Sequence, residues 1–152
     1  MRMARQLAAV VLLPGTVCVL VPAFLLSDTG IAPWPLAFLG GALVALGLGV
    51  IVWTVSLFAR VGRGTLAPWD PTSKLVVRGP YRHVRNPMIS GVLTVLLGEA
   101  ALFGSTPVLI WAAVVFAVNA VYFPLVEEPG LRDRFGAEYD EYAARTPRWV
   151  PR

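Results

Sequence analysis

The chain has 152 residues, of which 57% are hydrophobic and only 14% are charged. A soluble domain typically carries about 25% charged residues, so this composition indicates a membrane protein and excludes a disordered chain, a disulfide scaffold and a coiled coil. The net charge of +4 does not indicate a nucleic-acid partner, because the basic residues lie between hydrophobic segments, where they set topology. One cysteine, Cys18, and one histidine, His83, can form neither an internal disulfide nor a His/Cys metal centre, and we expect no metal.

Four hydrophobic segments reach or approach the roughly 20 residues that a helix needs to cross a bilayer. They cover residues 7–26, 35–59, 87–103 and 107–126. Backbone amides must be satisfied inside the bilayer, and the segments show no period-2 alternation, so the sequence predicts helices and not a barrel. We therefore expect a single all-α membrane domain, 1–152, with four transmembrane helices, a loop at 60–86 and a tail at 127–152.

The basic residues predict how these helices are oriented. All 13 lie before the first span, between the second and third spans, or after the fourth, and the two opposite connections carry none. Basic residues mark the cytoplasmic side, so both termini, the loop and the tail are predicted to be cytoplasmic. Arginine far outnumbers lysine and alanine is abundant, which favours a bacterial plasma membrane.

Within the second span, Gly41, Ala45 and Gly49 recur every four residues. This stripe predicts close helix packing, although glycine is also common in membrane helices for other reasons. In the third span, Glu99 is a costly intramembrane carboxylate, for which we expect a protonated or hydrogen-bonded packing role.

The tail predicts an amphipathic helix. Its apolar and aromatic side chains share one face at 3–4 spacing: Leu131, Phe135, Tyr139 and Tyr142. Most charged residues avoid that face, as expected for a helix that lies at the membrane interface or caps the bundle.

The loop segment Gly79–Met88 carries more chemistry than a connector needs. It places Arg82, His83 and Arg85 beside aromatic and proline residues just before the third span. A basic cluster that only sets topology is the alternative, but topology needs charge alone and not the neighbouring tyrosine, histidine and asparagine.

A second unusual feature is the pair Glu127 and Glu128 at the cytoplasmic end of the fourth span. The negative pole of the helix dipole lies there, so we expect a basic group of the loop to compensate these acids. The alternative is two solvated surface acids. Together, the carboxylates and arginines could hold a zwitterionic, partly cationic small molecule.

The motifs of the loop and the tail resemble the isoprenylcysteine carboxyl methyltransferase family and its bacterial relatives. The loop motifs are, in order, Gly64-Thr65, Pro68-Trp69-Asp70-Pro71, Leu75-Val76, Gly79-Pro80-Tyr81-Arg82 and Arg85-Asn86-Pro87-Met88. The tail motifs are Glu127-Glu128, Leu131, Phe135-Gly136, Tyr139, Tyr142, Arg145 and Pro147-Arg148-Trp149-Val150-Pro151. The motifs Asn86-Pro87-Met88 and Glu127-Glu128-Pro129 also resemble those of phosphatidylethanolamine N-methyltransferases.

This resemblance implies an integral membrane methyltransferase that uses S-adenosylmethionine. In the family, a cytosolic pocket formed by the loop and the tail holds this methyl donor, and a tunnel from the bilayer admits a lipophilic acceptor. Carried over by position, the residues at the donor are Ser73, Lys74, Leu75, Val76, Tyr81, Arg85, Asn86, Pro87, Met88, Ile89 and Glu127.

Three residues are candidates for the chemistry itself. An amine acceptor needs a base, for which His83 and Glu128 are candidates, whereas a carboxylate or thiolate needs only a cation such as Arg145 to orient it. For His83 the alternative is a plain loop residue, and for Arg145 it is a contact with a phospholipid headgroup.

Two departures from the family pattern bear on the acceptor. Ile89 replaces a tyrosine, and Phe123 replaces the arginine that holds the substrate carboxylate in eukaryotic prenylcysteine enzymes. A phenylalanine cannot pair with a carboxylate, which disfavours prenylcysteine and leaves a lipid amine, another carboxylate or a thiol. The alternatives are a phospholipid N-methyltransferase and a non-enzymatic small membrane protein; in each case we expect membrane lipids as partners.

Overall fold

A computed structural model of the protein describes residues 11–26, 29–62 and 72–151. The beginning of the first predicted span and the loop motifs at residues 64–71 lie outside these ranges. Within them every regular element is helical, which confirms the all-α prediction. The α-helices of these ranges are α1 Val21–Leu25, α2 Trp34–Leu57, α3 Pro87–Phe103, α4 Thr106–Tyr122, α5 Glu128–Phe135 and α6 Ala137–Arg145. Three π-helical segments extend α1, α2 and α4, and one 3-10 turn precedes α3; they are Val11–Leu20, Phe58–Gly62, Phe123–Glu127 and Gly79–Arg82.

Two continuous helices are long and apolar enough to cross a membrane. They are Trp34–Gly62, with 29 residues, and Thr106–Phe135, with 30 residues. Large apolar side chains such as Phe38 and Val118 lie exposed along them. Exposed apolar surface of this extent is typical of a helix that faces lipid, so the fold is that of an integral membrane protein. The shorter apolar helices are Pro14–Leu25 and Pro87–Phe103.

Proline, serine and glycine set the helix boundaries at α3 and α4. Pro87 is the first residue of α3, where its missing N–H has no intrahelical partner in any case. The helix ends at Gly104, whose φ of 59° is the left-handed conformation that favours glycine. The Ser105 hydroxyl then accepts a hydrogen bond from the Val108 N–H at 3.4 Å and caps α4.

Helices α2 and α3 pack through glycines. A Cβ placed on Gly47 would lie 2.7 Å from the Gly91 carbonyl oxygen, and one placed on Gly98 would lie 2.8 Å from the Gly40 carbonyl oxygen. Such distances leave room for hydrogen alone, so the two backbones are in direct contact.

The predicted packing stripe of α2 is therefore wrong. A Cβ on Gly41 or Gly49 would meet no atom within 4 Å, because these positions face away from α3. The true contact positions, Gly40 and Gly47, are seven residues apart, which is two helical turns and keeps both on one face. Positions four residues apart rotate progressively round the helix axis, so a stripe with that spacing leaves the contact face.

The first helix packs on α3 and α4 around a small apolar core. This core contains the buried residues Cys18, Ile51, Val92, Val95, Leu96, Ala112 and Val115. The Trp111 Nε1–H donates to the Val17 carbonyl at 3.0 Å. In a π-helix this carbonyl would pair with the N–H five residues later, but that residue is Pro22, which has none, so the tryptophan supplies the missing donor.

At one end of the bundle the Ala32 N–H donates to the Leu102 carbonyl at 2.9 Å, which joins the segment before α2 to the last turn of α3. At the opposite end, the loop that precedes α3 and the tail that follows α4 meet each other. The helices thus bring two segments together that are more than 40 residues apart in the sequence.

Candidate functional site

The loop before α3 is folded back onto the end of α2. The Ser73 N–H donates to the Gly62 carbonyl at 2.9 Å, which joins the described part of the loop to the π-helical extension of α2. Gly79 has a φ of 59° and lies against Trp53, where a Cβ would be 3.2 Å from the indole ring. The 3-10 turn that follows buries Tyr81, whose ring centroid is 5.5 Å from that of Phe58. The loop therefore has a fixed course over the helix end.

The tail makes a helical hairpin and then returns to the loop. Gly136, at a φ of 52°, forms the turn between α5 and α6. From α6 the Tyr142 hydroxyl donates to the Tyr81 carbonyl at 2.7 Å. After the hairpin, the Arg85 N–H donates to the Pro147 carbonyl at 2.9 Å. Both parts of the tail thus contact the same stretch of the loop.

A buried ion-pair cluster lies where the loop and tail meet. The Glu128 carboxylate is 5% exposed and accepts a hydrogen bond from Arg85 Nη1 at 2.9 Å. Arg148 approaches the same carboxylate with two nitrogens, Nε at 2.7 Å and Nη2 at 3.2 Å. The basic loop group expected to compensate the acid pair is thus Arg85. The second arginine comes from the tail, and the two-nitrogen contact fixes its orientation as well as its charge.

Tyr139 lies beside this cluster and is 1% exposed. Burial raises the pKa of the Tyr139 hydroxyl, and the neighbouring Arg85 guanidinium opposes this shift. Both the Tyr139 hydroxyl and Arg85 Nε are buried with no hydrogen-bond partner in the described part of the chain. Arg85 Nε is a donor and the Tyr139 hydroxyl oxygen can accept, so the two buried groups are complementary neighbours, as the effect of Arg85 on the pKa of Tyr139 also indicates.

A cavity of about 600 Å³ opens between the loop and the tail hairpin. Its described lining consists of Arg60, Val61, Ser73, Lys74, Leu75, Val77, Arg78, Phe135 and Glu138. The volume falls in the range of small-molecule sites, roughly 300–1,000 Å³. The cations come from the end of α2 and from the loop, the carboxylate comes from α6, and apolar side chains separate them. This donor set suits a zwitterionic ligand with an apolar part.

The predicted donor-binding residues of the loop fall into two groups. Ser73, Lys74 and Leu75 line the cavity. Val76 and Tyr81 are buried, with Val76 against Gly62 and Tyr81 under the tail hairpin. Burial raises the pKa of the Tyr81 hydroxyl, and the charges of Tyr142 and Glu127 add to that shift. Glu127 is not among the described residues that line the cavity.

The remaining predicted donor contacts lie at the start of α3. Arg85 belongs to the ion-pair cluster, and Asn86 and Pro87 are buried at the first turn. Met88 and Ile89 are half-buried in the same turn. These residues lie where the loop joins α3, and they are not among the described residues that line the cavity.

The three predicted catalytic residues lie apart from one another. His83 is exposed at the end of the 3-10 turn. Arg145 is exposed on α6 and pairs with Glu141 at 2.6 Å. Glu128 is occupied by the two arginines of the cluster. Neither His83 nor Arg145 lines the cavity.

Several residues of the site were not predicted as such. Arg148 completes the ion-pair cluster, and Phe135 and Glu138 contribute the tail side of the cavity. The run Pro147-Arg148-Trp149 was one available signal, since an arginine and a tryptophan between prolines are unusual in a free tail. Trp149 packs on α4 and its extension, with ring centroids 5.8 Å from Phe116 and 5.9 Å from Phe123.

These observations define an all-helical integral membrane protein with a polar site at one end, formed by one loop and one tail. Within the described residues, no three His, Cys, Asp or Glu side chains are grouped so as to hold a metal ion. The chain belongs to the phospholipid methyltransferase family, which it matches over residues 36–138.

Two curated relatives share this similarity. The nickel-cobalt-cadmium resistance protein NccN of Alcaligenes xylosoxydans xylosoxydans is 31% identical over 127 residues, which are 82% of this chain and 57% of that protein. Protein-S-isoprenylcysteine O-methyltransferase B of Arabidopsis thaliana is 38% identical over 79 residues, which are 51% of this chain and 40% of that protein. The chain thus spans about half the length of the curated relatives that it matches.

Proposed function

We propose that this protein is an S-adenosylmethionine-dependent methyltransferase that modifies a lipophilic acceptor in the membrane. The observation that carries the proposal is the cavity of about 600 Å³ between the loop and the tail. The family resemblance assigns the donor to these same two segments, and three of its predicted contacts, Ser73, Lys74 and Leu75, line the cavity. The similarity to an isoprenylcysteine O-methyltransferase supports the same reaction class.

We further propose four membrane spans in one domain, with both termini, the loop and the tail on the cytoplasmic side of a bacterial plasma membrane. Two observations support this arrangement. The helices Trp34–Gly62 and Thr106–Phe135 are long enough to cross a bilayer. The loop and the tail, which together contain most of the basic residues, contact each other at one end of the bundle.

The cavity lining fits the proposed donor. S-adenosylmethionine carries a transferable methyl group on a cationic sulfur, next to an amino-acid group and an adenine ring. Lys74 and Arg78 can hold the carboxylate of this ligand, and Glu138 can hold its ammonium group. Leu75 and Phe135 offer apolar contact for the ring. Glu127 is carried over from the family as a donor contact, and its negative charge contributes to the raised pKa of the Tyr81 hydroxyl at the same end of the bundle.

The three predicted catalytic residues have different surroundings, which favour different roles. The Glu128 carboxylate is engaged by two arginines, so a structural role is favoured over that of a base. His83 is exposed and can accept a proton from an amine acceptor. Arg145 is exposed at the end of α6 and can meet either a substrate anion or a lipid headgroup.

The aromatic surroundings of Phe123 bear on the acceptor. Phe123 is 7% exposed and packs against Trp149, so the described surroundings of this position are apolar. This supports an acceptor other than a prenylcysteine carboxylate, and a phospholipid amine is the alternative that the family suggests.

Donor binding to the detergent-purified protein tests the proposal. We expect saturable binding of S-adenosylmethionine by equilibrium dialysis, and Glu138→Gln should weaken it about 10-fold or more, as for the loss of a charge-assisted hydrogen bond. Asp133→Asn is the matched control, because this exposed acid of the same tail does not line the cavity. Absence of donor binding by the wild type, or equal affinity in both variants, would contradict the assignment of the cavity.

A second experiment identifies the acceptor. The protein is incubated with membrane lipids and a donor that carries a labelled methyl group, and the labelled product is separated by polarity class. Label on a phospholipid amine supports a phospholipid N-methyltransferase, and label on a prenylcysteine ester contradicts the argument from Phe123. Donor binding without any labelled product from a wide range of lipids would favour the non-enzymatic alternative.

A further inference from the structure

The tail hairpin is fastened at both ends to a single carboxylate. Glu128 is the first residue of α5, and Arg148, which follows α6, returns to it across 20 residues of chain. The whole α5–α6 hairpin therefore forms a closed loop that begins and ends at Glu128. An ion pair between exposed side chains would hold the tail only weakly, but the Glu128 carboxylate of this pair is buried.

The cluster also joins the tail hairpin to the loop before α3, whose earlier residues line the other side of the cavity. Arg85, from the loop before α3, is 12% exposed and contacts the same oxygen, Oε1, that Arg148 Nε contacts. Two further contacts reinforce the connection: Pro147 accepts a hydrogen bond from the Arg85 N–H, and Tyr142 donates one to the Tyr81 carbonyl. The loop and the tail are thus fixed relative to each other by charge and by backbone hydrogen bonds.

The cavity depends on this geometry. Phe135 and Glu138 lie on either side of the hairpin turn, far in sequence from the fastened ends, and form the tail side of the cavity. Ser73, Lys74 and Leu75 belong to the loop side. If the hairpin loses one of its fastened ends, Phe135 and Glu138 can move away from these loop residues, and the two sides no longer hold one ligand together.

We propose that Arg85, Glu128 and Arg148 form a clamp that holds the tail hairpin over the cavity, and that Arg148 is a positioning residue for the methyl donor. This inference rests on the proposed function for the identity of the donor. The position of the hairpin itself can be measured without any ligand. Arg148 acts through Glu128 and the hairpin and does not line the cavity.

The test compares Arg148→Gln, Arg148→Lys and the control Arg134→Gln in the full-length, detergent-purified protein. The contacts of Arg134 lie within its own helix, to the Gly130 carbonyl and the Phe135 ring. Hydrogen exchange of backbone amides is measured first, without ligand. We expect at least about 10-fold faster exchange in α6 for Arg148→Gln, with α2 and α3 unchanged, since local opening is set by local contacts. The control should exchange as the wild type does.

Donor affinity is measured on the same proteins. We expect Arg148→Gln to weaken S-adenosylmethionine binding about 10-fold, which corresponds to a hairpin that is in place in about one molecule in ten, with maximal rate much less affected. Arg148→Lys keeps the charge without the fork geometry and should be intermediate. In a Glu128→Gln background, Arg148→Gln should add little, because both changes remove the same contact.

The outcomes separate the clamp from the proposed function. If the wild type binds no donor but Arg148→Gln still loosens α6, the proposed function fails and the clamp stands. If the wild type binds the donor and Arg148→Gln changes neither exchange nor affinity, the clamp is wrong. A loss of maximal rate with unchanged donor affinity would also overturn the positioning role. Should Glu128→Gln fail to fold, the three arginine variants decide the question alone.

Discussion

The glycine contact between α2 and α3 makes a sharp prediction for a single methyl group. Gly47 faces α3, where an added Cβ would lie 2.7 Å from the Gly91 carbonyl oxygen and 2.8 Å from the Val95 nitrogen. Both are backbone atoms, so no side-chain rotation can make room. Gly47→Ala can be accommodated only if the two helices move apart along this contact.

The size of the effect follows from the geometry. Ordinary van der Waals contact begins at 3.4 Å, so the new methyl group overlaps three atoms of α3, the two backbone atoms and Val95 Cγ2. Overpacking of a close contact typically costs about 1–3 kcal/mol. Alanine is intrinsically a better helix former than glycine by about 1 kcal/mol, but this gain applies equally to any interior glycine of α2. A comparison with a second glycine of the same helix therefore isolates the packing cost.

Gly49→Ala is that comparison, since a Cβ at Gly49 would meet no atom within 4 Å. In thermal unfolding of the detergent-solubilised protein, we expect Gly49→Ala to match or exceed the wild type. Gly47→Ala should melt about 5 °C below Gly49→Ala, given a packing cost of about 1–3 kcal/mol and roughly 2–4 °C per kcal/mol for a chain of this size. Equal melting temperatures would refute the assignment of the α2–α3 contact face, and the reverse order would mean that the face containing Gly49 is the packed one.

Three further predictions concern the loop and the tail. Tyr142→Phe removes the hydrogen bond to the Tyr81 carbonyl and should lower the free energy of unfolding by about 1 kcal/mol in denaturant titrations. Burial raises the pKa of both phenols above the ordinary 10.0, so the folded state holds their protons more tightly than the unfolded state. The contribution of these phenols to the melting temperature should be constant below pH 10 and be lost above it, and the fall above pH 10 should be less steep in Tyr142→Phe; an unchanged slope would contradict this origin. Gly79→Ala should destabilise by about 1–2 kcal/mol at its positive φ, while Gly30→Ala, with open space around it, should not.

Much of the fold could be predicted from the sequence because lipid imposes a simple rule on it. Long charge-free segments have few options other than helices, and the observed ends of α3 at Pro87 and Phe103 agree with the predicted third span. Which face of a helix packs is a different question. In α2 nearly every side chain is apolar, so no hydrophobic stripe distinguishes the lipid-facing side from the packed side, and the choice of Gly41 and Gly49 was wrong by one or two positions.

The candidate site was predictable in its segments but less so in its contacts. Charge compensation required a loop base near the acid pair, and Arg85 provides it. The return of the tail was not predictable in this way, because it depends on the turn at Gly136 and on the direction in which the hairpin leaves Glu128. Only the folded chain shows that Arg148 comes back to a residue 20 positions earlier.

The two adjacent glutamates show why sequence motifs cannot assign such roles on their own. Successive residues of a helix point about 100° apart, so Glu127 and Glu128 cannot serve the same partners. Glu128 contacts Arg85 and Arg148 and its side chain is 5% exposed, whereas the negative charge of Glu127 contributes to the raised pKa of the Tyr81 hydroxyl. A cationic ligand gains little from a carboxylate that two arginines already neutralise. On the proposed function, we therefore expect Glu127 and Glu138 to be the acids that face the donor, and Glu128 to hold the hairpin that carries Glu138.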